Sequence, residues 1–510
     1  MMKLYATPNY TFFTPDFFDK EKLKKISDIL SFERKVYNPN NNSYDIQTIS
    51  LLKKTKLNEK LAKIFSQTAS DEVFYFPTGF LSIIEKELNT TLFNSASIIH
   101  KFLDLEKLHY ISDTKIIKNL REYQLEALKS LVKNIRGIVQ IPTGGGKTWI
   151  IASIIELAKP DTQILVIVPK SSTLLIQHLK FLSQFFSKDE IGYYYSEGKK
   201  PGRITLTTVN SLKIIPYIDK IDIVLIDECQ ATPSSTILEV MQLSKNAWIR
   251  YGFSATPLGR SDERDYHTYA VLGDIVYKVN YQTLQEQKFL SEMYYYSIHF
   301  STPYVLYKNQ KIPIDNDLYF LNKYNEVCKI FIENNPYRLE IITKLTNYIL
   351  TKYPERNCMI ICDRKKLASN LYQELSVLFP NQVKLISGET PHKTREEALT
   401  KFKNNQIRII IATQLIEYGI DLPNLNTIIL ASIGKSPIQL IQRIGRGMRY
   451  SSEPLIVFDL VEENNKVLYN QFRQRVRILS KEGFTIRQIS VDKLMEKIYN
   501  YFQENKNERR

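Results

Sequence analysis

The stretch GIVQI at 137–141 runs straight into PTGGGKT at 142–148 and then into WIIASIIELA at 149–158. An apolar strand, a glycine loop and a helical pattern follow one another in that order. Small residues let successive backbone N–H groups close around an anion where a helix begins, and the helix dipole favours negative charge there. In such a loop Thr143, Gly144, Gly145 and Gly146 line a phosphate, Lys147 reaches the outer phosphates, and the Thr148 hydroxyl can ligate Mg²⁺. The general pattern G-x-x-x-x-G-K-[ST] wants Gly at the first position, where this chain has Ile141. A glycine-rich turn with an incidental Lys is the plain alternative, and the strand-to-helix context weighs against it.

Outward from the loop, short apolar runs alternate with helical stretches: QILVIV at 163–168, RITLTT at 203–208, IDIVLID at 221–227 and IRYGFSAT at 249–256. The rhythm returns in NCMIICD at 357–363, QVKLIS at 382–387, IRIIIAT at 407–413, NTIILAS at 426–432 and PLIVFDL at 454–460. Buried runs alternating with helices mean a parallel sheet. The expected class is α/β, with two tandem parallel-sheet lobes over 113–285 and 338–485. A connecting region rich in Tyr and Asn spans 286–337, a small separate α+β domain spans 1–112, and a charged helix or tail spans 486–510.

Hydrophobic residues make up 43% and charged residues 24%, a globular balance that excludes a fibrous or disordered chain. No apolar stretch reaches membrane-spanning length and the start does not read as a secretory signal, so a cytoplasmic protein is expected. The four cysteines are scattered, with neither disulfide nor zinc-knuckle spacing. Lys and Arg outnumber Asp and Glu by 69 to 54, for a net +15, which favours a polyanionic partner. A Lys-rich codon bias would produce the same excess, so charge alone decides little.

The apolar run IDIVLI ends in Asp227-Glu228-Cys229-Gln230. An Asp at the carboxyl end of a parallel strand beside a phosphate loop can hold Mg²⁺, and the adjacent Glu can orient and deprotonate an attacking water. Cys229 is read as packing rather than as a nucleophile. Together PTGGGKT, DECQ and Ser254-Ala255-Thr256 resemble motifs I, II and III of the superfamily 2 helicases; the helicase form of the loop, PTGxGKT, matches in full. The resemblance implies two RecA-like lobes that use ATP and Mg²⁺, with the Ser-Ala-Thr element coupling the nucleotide to nucleic-acid movement. Gln230 stands where His is commoner, which leaves the manner of coupling open. Arg121 and Gln124, in LREYQ at 120–124, resemble the element that reads adenine. Lys170, with Thr208 and Ser211, falls in stretches resembling motifs Ia and Ib, which contact the nucleic-acid backbone.

In the second lobe, TQLIEYGIDLP at 413–423 resembles motif V, which implies a nucleic-acid contact at Thr413 and nucleotide contacts at Gly419 and Asp421. QLIQRIGRGMR at 439–449 resembles motif VI, implying catalytic roles for Gln442, Arg446 and Arg449 beside Glu228. Arg446 and Arg449 lie three apart, so one helical face can present both guanidinium groups. Within the superfamily the chain resembles the phage UvsW-type helicases and, more distantly, the XPB-type repair helicases. Leu30-Ser31-Phe32-Glu33, Phe76 to Phe80, Ser387-Gly388-Glu389 and Thr394-Arg395 add to that likeness. It implies a monomeric motor that unwinds, anneals or branch-migrates forked or branched DNA in replication, recombination or repair, in contact with replication or recombination proteins, in a host cytoplasm if phage-encoded. An RNA-directed helicase, or an ATP-gated sensor or motor subunit without strand separation, stays open beside it.

Overall fold

The computed structural model describes the chain apart from residues 1–3, 15–16, 39–42, 57–60, 62–63, 66–71, 110–113, 170–171, 261, 308–309, 315, 414–421, 423, 433–452, 482 and 494–510. It divides into two compact units, one of residues 1–142 with 146–279 and the other of 143–145 with 280–510. Each carries a large sheet of the expected α/β class. In the first unit eight strands run in the order Gly198–Lys200, Ile191–Tyr195, Ile204–Thr208, Ile164–Val168, Ile223–Asp227, Ile249–Ser254, Arg136–Gln140 and Ile275–Lys278. All neighbours pair in parallel except the first two. The central strands are buried at every position, as continuous apolar runs covered by helices on both faces should be.

The seven-stranded sheet of the second unit is parallel throughout, in the order Val383–Ile386, Ile409–Ala412, Cys358–Cys362, Thr427–Ser432, Leu455–Glu462, Met293–Phe300 and Ile486–Ser490. Two of these strands correct the sequence reading. Met293–Phe300 falls in the stretch 286–337 read as a connection, yet it lies inside the sheet. Its MYYYSIHF sequence hides that burial because tyrosine is only half apolar. Tyr295 is fully buried, and its hydroxyl donates to Asp459 Oδ2 at 2.7 Å while Arg475 bonds both carboxylate oxygens at 2.8 and 2.9 Å. Ile486–Ser490, read as part of a charged tail, forms the edge strand, where alternate residues can face water.

The stretch read as a separate domain over 1–112 is α+β, but it packs as one unit with the first lobe. Strands Leu4–Ala6, Tyr10–Phe13, Glu72–Pro77 and Lys53–Lys56 make an antiparallel sheet, beside a ribbon of Ser31–Asn38 with Ser43–Ser50. Phe32 and Phe80 pack on Tyr266 and Tyr269 of the lobe, and Phe93 stacks on Trp248. A Cβ at Gly79 would lie 2.0 Å from the Tyr269 carbonyl oxygen, so this approach admits only glycine.

Two buried arginines complete the junction. Arg136 and Arg250 are register partners on adjacent strands, exposed by only 3% and 2%. Arg136 donates to the carbonyls of Ala270, Val271 and Pro8. Arg250 donates to the carbonyls of Ala247, Met241 and Ser244 and to Asn9 Oδ1 at 2.8 Å. Most of these acceptors end the helices Asp265–Leu272 and Ser235–Leu243, where unpaired carbonyls and the helix dipole attract a cation. Burial, and then the neighbouring cation, pull Arg136 well below the usual arginine range; burial brings Arg250 to about 9.

Candidate nucleotide site of the first lobe

The loop after Arg136–Gln140 takes the backbone shape that its glycines allow. Gly144 has φ 84° and Gly146 has φ 74° with ψ 38°, left-handed values that side-chain-bearing residues avoid. A Cβ at Gly146 would sit 2.4 Å from Gln124 Nε2. Lys147, Thr148 and Trp149 open the helix Lys147–Leu157; Lys147 is buried, and its Nζ lies 3.4 Å from the Ile141 carbonyl. Ile141, where the strict pattern has Gly, is fully buried, so its side chain serves the core and leaves the loop itself unobstructed. Thr143, Gly144 and Thr148 are half-buried and Gly145 is buried.

Arg121 caps the helix Glu122–Val132, and its backbone N–H donates to Gln124 Oε1 at 2.9 Å. The other end of that amide, Gln124 Nε2, donates to the Gly146 carbonyl at 3.4 Å. The residue expected at a base edge is thus tied to the phosphate loop.

At the end of Ile223–Asp227, Asp227 is buried. Its Oδ1 accepts from the Glu228 N–H at 3.0 Å, and its Oδ2 lies 2.9 Å from His178 Nε2. Burial alone would raise the Asp227 carboxyl; the His178 hydrogen bond and charge, then Lys147, hold it below the usual carboxylate range. Glu228 turns left-handed at φ 50° and ψ 54°, an uncommon conformation for a residue with a side chain. Gln230 Nε2 donates to Glu228 Oε2 at 3.0 Å, and Gln230 Oε1 accepts from Ser254 Oγ at 2.6 Å. Ser254 Oγ also accepts from the Thr256 N–H at 2.9 Å, while Gln140 Nε2 donates to the Ala255 carbonyl at 3.2 Å. A continuous chain of hydrogen bonds therefore runs from Glu228 through Gln230 into Ser254-Ala255-Thr256. An amide both donates and accepts, so Gln230 fills the place of the commoner His without breaking the chain. Arg260, which the sequence reading passed over, steadies this chain from outside by donating to the Gln230 carbonyl at 2.8 Å. Cys229 is fully buried and burial pushes its thiol well up, which suits packing.

These groups fit a nucleoside triphosphate with a divalent cation. The loop offers backbone N–H groups and a buried ammonium to phosphate; Asp227 and the Thr148 hydroxyl offer oxygen to a cation. Among the described residues no group of three or more His, Cys, Asp and Glu could hold a metal alone, so a cation here would share its shell with phosphate and water.

The expected nucleic-acid contacts are less exposed than their motifs imply. Thr208 and Ser211 are buried, with Thr208 Oγ1 donating to Ser211 Oγ at 3.3 Å, so their hydroxyls face each other rather than solvent. Thr413 is buried after Ile409–Ala412, and its N–H donates to the Ile386 carbonyl. Lys170, Gly419, Asp421, Gln442, Arg446 and Arg449 lie outside the described residues. His178 is, beside Arg260, a site residue that sequence reading missed. Its one signal was a polar ring in the inward stripe Leu175, His178, Leu182 of the helix Ser172–Leu182, a spacing shared by any core residue.

Residues 117–259 match the family model described as Type III restriction enzyme, res subunit, and residues 339–451 match the Helicase conserved C-terminal domain. The chain belongs to the superfamily 2 helicases. This superfamily 2 chain is 29% identical over 366 residues to Putative helicase 22 of Sulfolobus islandicus filamentous virus, covering 65% of this chain and 62% of the relative. It is 24% identical over 375 residues to the DNA 3'-5' translocase XPB2 of Sulfurisphaera tokodaii, covering 67% and 81%. Among solved structures, a fragment of a putative HsdR subunit of a type I restriction enzyme from Vibrio vulnificus YJ016 shares the fold. Its TM-score is 0.56 at 17% identity, over 92% of this chain and 83% of that one. The match spans less than two thirds of the viral relative's length. Among the described residues no helix is long and apolar enough to cross a membrane. The family implies use of ATP, with Mg²⁺ as its usual cation.

Proposed function

We propose that the chain is a DNA-stimulated ATPase that works as a helicase or translocase, with forked or branched DNA as its preferred substrate. The observation that carries this reading is the unbroken chain from Glu228 through Gln230 to Ser254 and Thr256. A phosphate loop alone would serve a kinase equally well. A water-activating carboxylate wired to the next strand end is what a motor requires, because the state of the nucleotide must be felt elsewhere.

Bound ATP with Mg²⁺ supplies a transferable phosphoryl group whose charge the cation partly neutralises. In this reading Lys147 and the loop N–H groups orient the phosphates, Thr148 and Asp227 hold the cation, and Glu228 accepts a proton from the attacking water. The likeness to motif VI implies catalytic roles for Gln442 and for the cationic Arg446 and Arg449, and the likeness to motif V implies nucleotide contacts at Gly419 and Asp421. Lys170 grips the nucleic-acid backbone, whereas the other expected contacts, Thr208, Ser211 and Thr413, are buried. The excess of 69 basic over 54 acidic residues supports a polyanionic substrate. The preference for branched DNA rests on the UvsW-type resemblance, and a DNA translocase among the relatives supports the choice of DNA. Work in replication, recombination or repair follows from the same resemblance, and a monomer acting in a cytoplasm is proposed with it.

Steady-state ATP hydrolysis with no nucleic acid, single-stranded DNA, duplex, fork, four-way junction and RNA tests the proposal, with Glu228→Gln as the inactive control. Forks or junctions are expected to stimulate most. Strongest stimulation by RNA would overturn the substrate, and stimulation by none of them would overturn the motor.

A further inference from the structure

His178 and Asp227 form a buried pair whose partners come from separate elements, the helix Ser172–Leu182 and the strand Ile223–Asp227. Their side chains are 2% and 7% exposed and meet at 2.9 Å. An ionised carboxylate only accepts, so the proton of this bond sits on His178 Nε2. His178 Nδ1 is buried and has no hydrogen-bond partner among the described residues. A polar ring atom left unpaired in a core costs stability, and an apolar side chain in the same stripe as Leu175 and Leu182 would avoid that cost. The ring therefore serves something other than packing.

Asp227 shows what that is. With Oδ2 held by His178 and Oδ1 by the Glu228 N–H, both oxygens are anchored and the plane of the carboxylate is set before any ligand arrives. A carboxylate fixed in this way binds a cation without first losing rotational freedom, and groups that orient a ligating side chain are typically worth about 10 to 100-fold in metal affinity. We infer that His178 is a positioning residue that presets the Asp227 carboxylate for the divalent cation accompanying the nucleotide. The inference rests on the nucleotide-site reading above and adds a residue from a separate helix to it.

The test is binding of a fluorescent ADP derivative to the full chain, titrated with Mg²⁺ and repeated in chelator, beside thermal melting. His178→Phe keeps a ring and removes the donor; His178→Gln keeps a donor. The Phe variant is expected to need about 10 to 100-fold more Mg²⁺ for half-maximal tightening of ADP, with metal-free affinity unchanged, and the Gln variant to return within about 3-fold of wild type. Should the Phe variant fail to fold, His178→Met removes the donor with a more adaptable side chain and carries the same expectation. Wild-type Mg²⁺ dependence in the donor-free variant, or an equal loss of affinity with and without Mg²⁺, overturns the inference and leaves His178 a packing residue. Failure of the wild type to bind ADP at all, or to gain affinity from Mg²⁺, instead overturns the nucleotide-site reading itself.

Discussion

The neighbouring strands Arg136–Gln140 and Ile249–Ser254 begin and end in opposite chemistry. Their amino ends carry Arg136 and Arg250, buried cations held by helix-end carbonyls and by the N-terminal residues Pro8 and Asn9. Their carboxyl ends carry Gln140 and Ser254, neutral groups that donate and accept within the chain reaching Glu228. A guanidinium only donates and loses heavily if its acceptors leave, so one end is an anchor. Amides and hydroxyls can exchange partners at little cost, so the other end can respond to a ligand. Parallel sheets bind ligands at the carboxyl ends of their strands, and here the amino ends secure a second layer of structure.

The sharpest attempt to break this contrast is Glu228→Gln. It is expected to lower DNA-stimulated ATP turnover by about 10² to 10⁴-fold, as loss of a general base does, without shifting the melting temperature. A drop of several degrees would mean that the carboxyl end is structural as well. Arg250→Met attacks the anchor and strands several buried carbonyls; a loss of about 3 kcal/mol is expected, seen as a fall of roughly 6 to 12 °C in thermal melting. ADP affinity measured well below the transition should stay at the wild-type value, and a parallel loss would show that the two ends are coupled.

Gln230→Ala cuts the chain between Glu228 and Ser254. The ratio of DNA-stimulated to unstimulated turnover is expected to fall by about 10-fold, the size of a typical coupling between sites. An unchanged ratio would remove Gln230 from the coupling path. The smallest effect lies at the N-terminal junction, where burial, then Arg264 and Arg34, press His267 down to about 4, with Asp262 opposing them. Between about 4 and the ordinary value of 6.5, the unfolded chain holds a proton that the folded chain lacks. Stability should therefore rise with pH across that window and be complete above it. His267 is half-exposed, so screening holds the effect to about 1 kcal/mol or less, and His267→Gln should flatten the slope in pH-dependent melting.

Legibility in the sequence followed the range of each interaction. The phosphate loop could be read because strand, loop and helix are covalent neighbours, and Asp227 because it ends a fully apolar run. Met293–Phe300 was missed because its tyrosines do not read as buried until Asp459, 164 residues from Tyr295, supplies a partner. The N-terminal stretch was read as separate because its attachment through Asn9 and Arg250 joins residues 241 apart.

What the sequence by itself determined is therefore the local chemistry: two parallel sheets, a glycine loop between a strand and a helix, an acidic strand end, and the family they spell together. Only the tertiary structure decided that Gln230 bridges Glu228 to Ser254, that His178 from another helix holds Asp227, and that the first 112 residues share a core with the first lobe. Backbone periodicity and turn chemistry act between residues a few positions apart and leave their pattern in the sequence. A hydrogen bond between distant residues leaves none, because many pairs of polar side chains could make it and only the packed fold selects which pair does.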